Sequence, residues 1–298
     1  MDLSSLRIFV RAAELCSFSK AAVAIGIAQP TVSRVIGELE QHWGGVLFYR
    51  TGRGVKLSGF GEQALVRARA LLREAEQMAE ELRSVSKLPG GVVTIGLPPS
   101  LVAPVVPTLL NQLQRDLPKV HLRIYEGFGD QVERWIAEGF VDIGLYSVYY
   151  EGSRSPEAQL MASQLVLAGS SEGWDLPPRI DFTRLSEFPL VLPAQTNGLR
   201  VIVDTIARRM RVSLNVLVDV DSTLAQKQMC MHCGCYMIKA PHTISDQNDQ
   251  INFKSSLIIN PTINRHVIIV VSKQRPLSRA GREVVKRVSA ILKSQPGF

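Results

Sequence analysis

The sequence predicts an α/β chain in three parts: a winged helix-turn-helix over residues 1–58, a long linker helix over 59–88 and an α/β region over 91–298. Three observations predict it. Two short helical stretches separated by a glycine precede a cationic, glycine-rich pair of extended runs. Apolar residues then recur at alternating spacings of three and four along one unbroken stretch. After Pro89-Gly90-Gly91 the pattern changes to short apolar runs alternating with helical ones, the mark of a largely parallel sheet.

The opening residues read as an amphipathic helix with Leu3, Leu6, Phe9, Val10 and Ala13 on one face. They lack the basic start, apolar block and small-residue cleavage site of a signal peptide. A second helix begins at Phe18, with Ser19 as its expected N-cap, and Gly26 ends it because glycine takes the left-handed conformation a helix stop requires. Pro30 then suits the first turn of a third helix, where a missing N–H costs nothing. Val32, Val35, Ile36, Leu39 and Trp43 form that helix's buried stripe. Gln29, Thr31, Ser33 and Arg34 lie on its other side, where short donors and one guanidinium fork reach base edges. The pair reads as a DNA-binding helix-turn-helix. Residues 47–57 form two extended runs around a Gly-rich turn, with three cations and no acid, suiting a wing on phosphates through Arg50 and Arg53.

The wording QPTVSR-x-I-x-x-LE followed by LF-x-R-TGRGV-x-LS-x-x-G resembles the LysR-type transcriptional regulators. The match is dense over residues 1–62 and continues diffusely to the C-terminus. One departure stands out. The family usually carries Ser or Thr where this chain has Ala28, so the hydroxyl that caps the recognition helix is missing. The resemblance implies a two-lobed effector domain built like a periplasmic solute-binding protein, the first lobe about 91–161 with 268–298 and the second about 162–267. It also implies a small-molecule effector in the cleft between lobes, double-stranded promoter DNA as partner, a homotetramer built as a dimer of dimers, and RNA polymerase as a further partner.

At 298 residues the chain exceeds a single core, so two or three domains are expected. With 46% hydrophobic and 20% charged residues it reads as globular rather than disordered. No apolar run is long enough for a membrane span. A cytoplasmic location with reduced cysteines is therefore expected. The net charge of +7 suits a nucleic-acid partner, but its distribution does not mark the DNA-binding part. Residues 1–58 hold seven basic residues against four acids, whereas 273–298 hold seven against one, read as a solvated helix face.

Along residues 59–87, Leu65, Ala68, Leu72, Ala75, Ala79 and Leu82 form a heptad seam, expected to be an antiparallel dimerisation arm. Beyond the hinge, strands are predicted at 92–97, 120–125, 141–145, 160–168, 190–192, 214–218 and 268–271. Helices are predicted at 101–114, 131–138, 199–211, 223–231 and 278–292.

Ligands of open α/β sheets bind beyond the C-terminal ends of strands, which points to two strand-to-helix turns. Ser100, read as an N-cap, and Leu101 lie at the first; Thr196 and Asn197 lie at the second. Amides and the positive helix pole there favour an anion, so the effector is expected to be a small carboxylate. The resemblance adds Tyr146 and Ser147 as contacts. No phosphate loop, His-x-x-x-His pair or Gly-x-Ser-x-Gly elbow is present, so neither an enzyme nor a cofactor is expected. Cys230, Cys233 and Cys235 lie close together with His232 and His242, open to a metal- or thiol-sensing role. The favoured reading is small packing residues, Cys233 and Cys235 standing where the family usually has glycines. The rival in another class is a cytoplasmic solute-binding protein without DNA function.

Overall fold

The structure is a computed structural model that describes residues 2–52, 54–83, 89–152, 159–172, 175–244, 253–274 and 276–294. The chain divides into two compact units near Val92.

In the first unit, helix α1 (Leu3–Leu15) is capped by Asp2, whose carboxylate accepts the Ser5 N–H at 2.7 Å. Helix α2 (Phe18–Ile25) is capped by Ser17, which accepts the Lys20 N–H, and not by Ser19. The helix starts earlier than a Ser19 cap would allow, because Phe18 can turn helical while packing edge-on against Phe48. Gly26 ends α2 at φ 76°. Helix α3 (Gln29–Trp43) starts at Ala28 with no side-chain cap, as expected from the missing hydroxyl. Val32, Val35, Ile36 and Leu39 are buried, and Trp43 meets Phe9 edge-to-face. Strands β1 (Phe48–Thr51) and β2 (Gly54–Leu57) pair antiparallel as the wing. Glu40 of α3 accepts the Leu47 and Phe48 N–H groups and so fixes the wing's root to the recognition helix.

Helix α4 spans Gly59–Arg83; the last predicted residues, 84–87, lie outside the described residues. The first half of its seam packs inside the chain. Ala68 and Leu72 are buried in the core shared with α1 to α3, and Leu65 packs against that core. Those three positions are therefore filled by the chain's own helices, since a heptad pattern fixes a face but not its partner; Ala75 and Ala79 are half-buried, and the side chain of Leu82 lies outside the described residues. Among the described residues, Leu71 and Met78 are large apolar side chains that α4 leaves exposed beyond its first turn, at 51% and 59%.

The second unit holds two sheets. The first runs β4 (Val120–Glu126), β3 (Gly91–Leu97), β5 (Ile143–Glu151), β13 (Ile263–Val271), β6 (Gln159–Gln164), in that spatial order. Helices α5 (Pro99–Asp116) and α9 (Arg279–Ser294) pack on it through Leu101, Val105, Leu109, Val284 and Val288, and α6 (Gly129–Ala137) lies against β5. The second sheet runs β10 (Val216–Asp219), β9 (Leu190–Leu192), β11 (Tyr236–Lys239), β7 (Val166–Ser170), β12 (Phe253–Ile259), β8 (Arg179–Asp181). Helices α7 (Gly198–Met210) and α8 (Thr223–His232) flank it.

Three departures from the sequence reading matter for the site. The run 160–168 is two strands in two sheets: Ser163 and Gln164 end the first, and Leu165 at the crossing is itself buried, so no exposed turn marks the change. The strand expected at 268–271 begins at Ile263, because Asn264, Arg265 and His266 are polar residues facing inward or along the crossing. Strand β5 likewise continues to Glu151 through a polar, tyrosine-rich stretch. The chain thus passes between sheets at Leu165 and at 260–262.

Candidate functional site

The first site is the outer face of α3. Gln29, Pro30 and Arg34 are exposed, and Thr31 and Ser33 are half-exposed beside them. No acid lies in the first turn, so the positive pole of the helix is left for an anion. Gln29 donates to Ser33 Oγ at 2.9 Å, which pre-orders the amide on that face. Arg34 pairs with Glu38 one turn on, an exposed contact that a base edge can replace. Arg50 is exposed on β1. Arg53, the other predicted wing contact, lies outside the described residues.

The second site is the cleft between the two sheets, with a cavity of about 510 Å³. Of the sequence-predicted residues it brings together Ser100, Tyr146, Ser147, Thr196 and Asn197. Leu101 is a correction. Its side chain is fully buried in the first core, because α5 begins two residues earlier and turns that position inward. Ser100 is a second one. The N-cap of α5 is Pro98 without any side-chain bond, and Pro99 occupies the first turn, which places Ser100 inside the helix. Asn197 does cap α7, accepting the Leu199 N–H at 3.0 Å.

The Ser100 hydroxyl has a different task. It accepts from Arg265 Nη2 at 2.9 Å, while Arg265 Nε donates to Ser147 Oγ at 2.7 Å and Nη1 to His242 Nε2 at 2.8 Å. The Tyr149 phenol also faces the guanidinium. Arg265 is 3% exposed, and among the described residues no carboxylate lies within ion-pair distance of it. Burial lowers its pKa, with Tyr149 opposing. Since Arg265 must donate, His242 Nε2 accepts and the ring is neutral. Burial and the Arg265 charge hold His242 down to about 4, consistent with that role.

Lys239, at the end of β11, lies on the same cleft and donates to Thr223 Oγ1 at 3.3 Å. Burial first, then Arg265, pulls its ammonium down to about 8. Arg265 and Lys239, which line the cleft, and His242, which meets Arg265, were not legible from sequence as site residues. The available signal is an arginine just before a strand-forming apolar run, which the apolar pattern alone leaves outside the strand. Tyr146 is pushed upward by burial and by Glu133. An uncompensated buried guanidinium among neutral acceptors can do one thing well, which is to receive an anion.

Cys230 and Cys235 pack in the core of the second sheet, and Cys233 does not. Cys230 is buried among Val166, Val191 and Met237, and burial pushes its thiol up to about 12. Cys235 is buried and also raised, whereas Cys233 is exposed. Among the described residues no group of three His, Cys, Asp or Glu side chains is placed to hold a metal ion.

Residues 3–62 match the family described as "Bacterial regulatory helix-turn-helix protein, lysR family", and residues 86–292 match "LysR substrate binding domain". The chain belongs to the LysR family of transcriptional regulators. This LysR-type regulator is 30% identical to the nitrogen assimilation regulatory protein nac of Klebsiella aerogenes over 229 residues, covering 74% of this chain and 72% of that protein. Its fold is similar to a full-length OxyR variant of Pseudomonas aeruginosa, with a TM-score of 0.70 at 18% identity over 99% and 95% of the two chains. It is also similar to CbnR solved with its target DNA, with a TM-score of 0.69 at 16% identity over 98% and 99%. A LysR-type regulator is a DNA-binding protein with a separate effector domain, so the solute-binding reading without a DNA function falls. Among the described residues no helix is long and apolar enough to cross a membrane.

Proposed function

We propose that this LysR-type regulator reads promoter DNA as a homo-oligomer, a dimer of dimers, under the control of a small anionic effector. Gln29, Ser33 and Arg34 read base edges in the major groove, Pro30 and Thr31 seat the helix, and Arg50 and Arg53 hold phosphates. The effector occupies the cleft against Ser100, Tyr146, Ser147, Thr196 and Asn197, with Arg265 as its anchor. The observation that carries the effector's charge is Arg265, buried without a carboxylate and held only by neutral acceptors. Removing such a charge from water is costly, and an anion offsets that cost.

Binding changes the relation of the two lobes because Arg265 ties Ser100 and Ser147 of the first sheet's elements to His242 of the second. An anion that draws on the guanidinium shifts the balance between lobe arrangements, and the oligomer passes this to the DNA heads and to RNA polymerase in the cytoplasm. Selection from a random duplex pool, followed by gel shift, tests the DNA half: an enriched inverted repeat is expected, and a flat pool overturns it. A thermal-shift screen of small acids, amines and neutral aromatics tests the effector half. Stabilisation by acids is expected; stabilisation by amines alone defeats the anion.

A further inference from the structure

We infer that the cleft is built for a short dicarboxylate, one carboxylate meeting Arg265 and the other Lys239, a reading that rests on the anionic effector proposed above and names its class. Two cations line one cavity, and among the described residues neither has a carboxylate within ion-pair distance. They also share no hydrogen-bond partner. Arg265 is held by Ser147, Ser100, His242 and the Tyr149 phenol, and Lys239 by Thr223. They come from different sheets, β13 and β11, so they offer two separate anchor points and not one. A monoanion satisfies one and leaves the other uncompensated.

The first anchor suits a carboxylate in particular. The Arg265 guanidinium is a planar fork of five N–H donors; Ser147, His242 and Ser100 take three of them, with the Tyr149 phenol beside it, and a planar carboxylate can accept from what the fork still offers. The second anchor is a compact ammonium with hydroxyls nearby. The charged and titratable groups around Lys239 are Arg265, Asp221, and Cys230 and Lys227 of α8. Asp221 already accepts the Ala194 N–H at 3.1 Å and holds the turn before α7. Asp130 and Glu133 line the rim on the first lobe, which disfavours a long diacid reaching outward and favours a short one.

The pH response separates the two anchors. Lys239, held down to about 8, loses its charge at mildly alkaline pH, whereas Arg265 keeps its own. A diacid therefore binds more weakly above pH 8, while a monoacid seated on Arg265 does not.

The test is calorimetric titration of the full chain with succinate, glutarate and adipate, each against butyrate, pentanoate or hexanoate, with inorganic phosphate alongside. At least one diacid is expected to bind about tenfold tighter than its monoacid. That margin is expected to vanish in Lys239→Met, whose fold is checked by melting, and to survive in Lys239→Arg, while monoacid affinity stays put. Equal affinities within the pairs, an unchanged diacid affinity in Lys239→Met, or phosphate binding tighter than every diacid overturns the dicarboxylate. A cleft that takes monoacids equally well removes only the second charge. One that takes no carboxylate removes the anionic effector with it.

Discussion

Arg34 and Lys239 illustrate what single side chains contribute. Arg34 stands on an exposed helix face, tethered only by Glu38, so its release to a base edge costs little. Arg34→Ala is expected to cost about 1–3 kcal/mol of operator binding and to relax base preference, read by gel shift on matched and mismatched duplexes. An unchanged preference would reassign the reading residue. Lys239 makes the opposite trade. Its folded value of about 8 lies below the ordinary 10.5, so between these limits the unfolded chain binds more protons. Stability then rises with pH across that window, and the full penalty applies below pH 8. Lys239→Met should therefore raise Tm at pH 7, by on the order of 3 °C, and the gain should shrink from pH 8 to 10.5. A gain independent of pH would show that packing, not charge, is responsible. His242 follows the same sign at lower pH. It folds neutral with a value of about 4, so stability attributable to it is lost as pH falls from 6.5 towards 4.

Among the elements, α4 decides how an assembly is tested. Leu72 is 8% exposed in the core with α1 and α3, so Leu72→Asp breaks that core before it breaks any dimer. A cost at least that of a buried Leu→Ala, about 2–5 kcal/mol, is expected in a melting curve. Met78→Asp, on the exposed stripe with Leu71, should leave the melt alone and lower the sedimenting mass. Should Met78→Asp sediment as wild type, this stripe is not the contact. The α8–β11 connection gives a milder contrast. Cys230→Ser buries a hydroxyl among Val166, Val191 and Met237 and should cost about 1–3 kcal/mol, while exposed Cys233→Ser should be silent. DNA binding and its response to small acids should survive both, and a lost response to oxidant would make the thiols functional.

For the effector domain as a whole, the question is what couples its two lobes. Besides the Arg265 network, Arg209 of α7 pairs with Glu151 at the end of β5, at 2.5 and 2.6 Å. Both partners are solvated, so salt and side-chain entropy discount the pair. Arg209→Ala should leave Tm within about 2 °C of wild type and acid affinity within about fivefold. A large loss of acid affinity, measured by titration, would make this rim pair and not Arg265 the main coupling between lobes.

Much of the molecule was legible in sequence because the information was local. Gly26, Pro30 and the stripe from Val32 to Leu39 specify the recognition helix within one stretch, and Ala28 announces its own missing cap. The switch to alternating runs after Gly91 likewise predicts the α/β class from periodicity alone. What periodicity cannot carry is which surfaces meet. The stripe on α4 was visible, but that its first half is filled by the chain's own helices depended on the position of α1. The strand run through Leu165 hid a change of sheet, because a buried crossing looks like a buried strand. The cleft shows this most clearly. Ser100, Ser147, His242 and Arg265 lie far apart in sequence, and each alone has an ordinary explanation as a cap, a loop residue or a strand boundary. Caps, turns and repeat spacing were enough to specify the DNA head and the α/β class before any fold was known. That these four side chains share one hydrogen-bond network was decided by the folded chain alone, because burial without a counter-charge is a property of where strands converge.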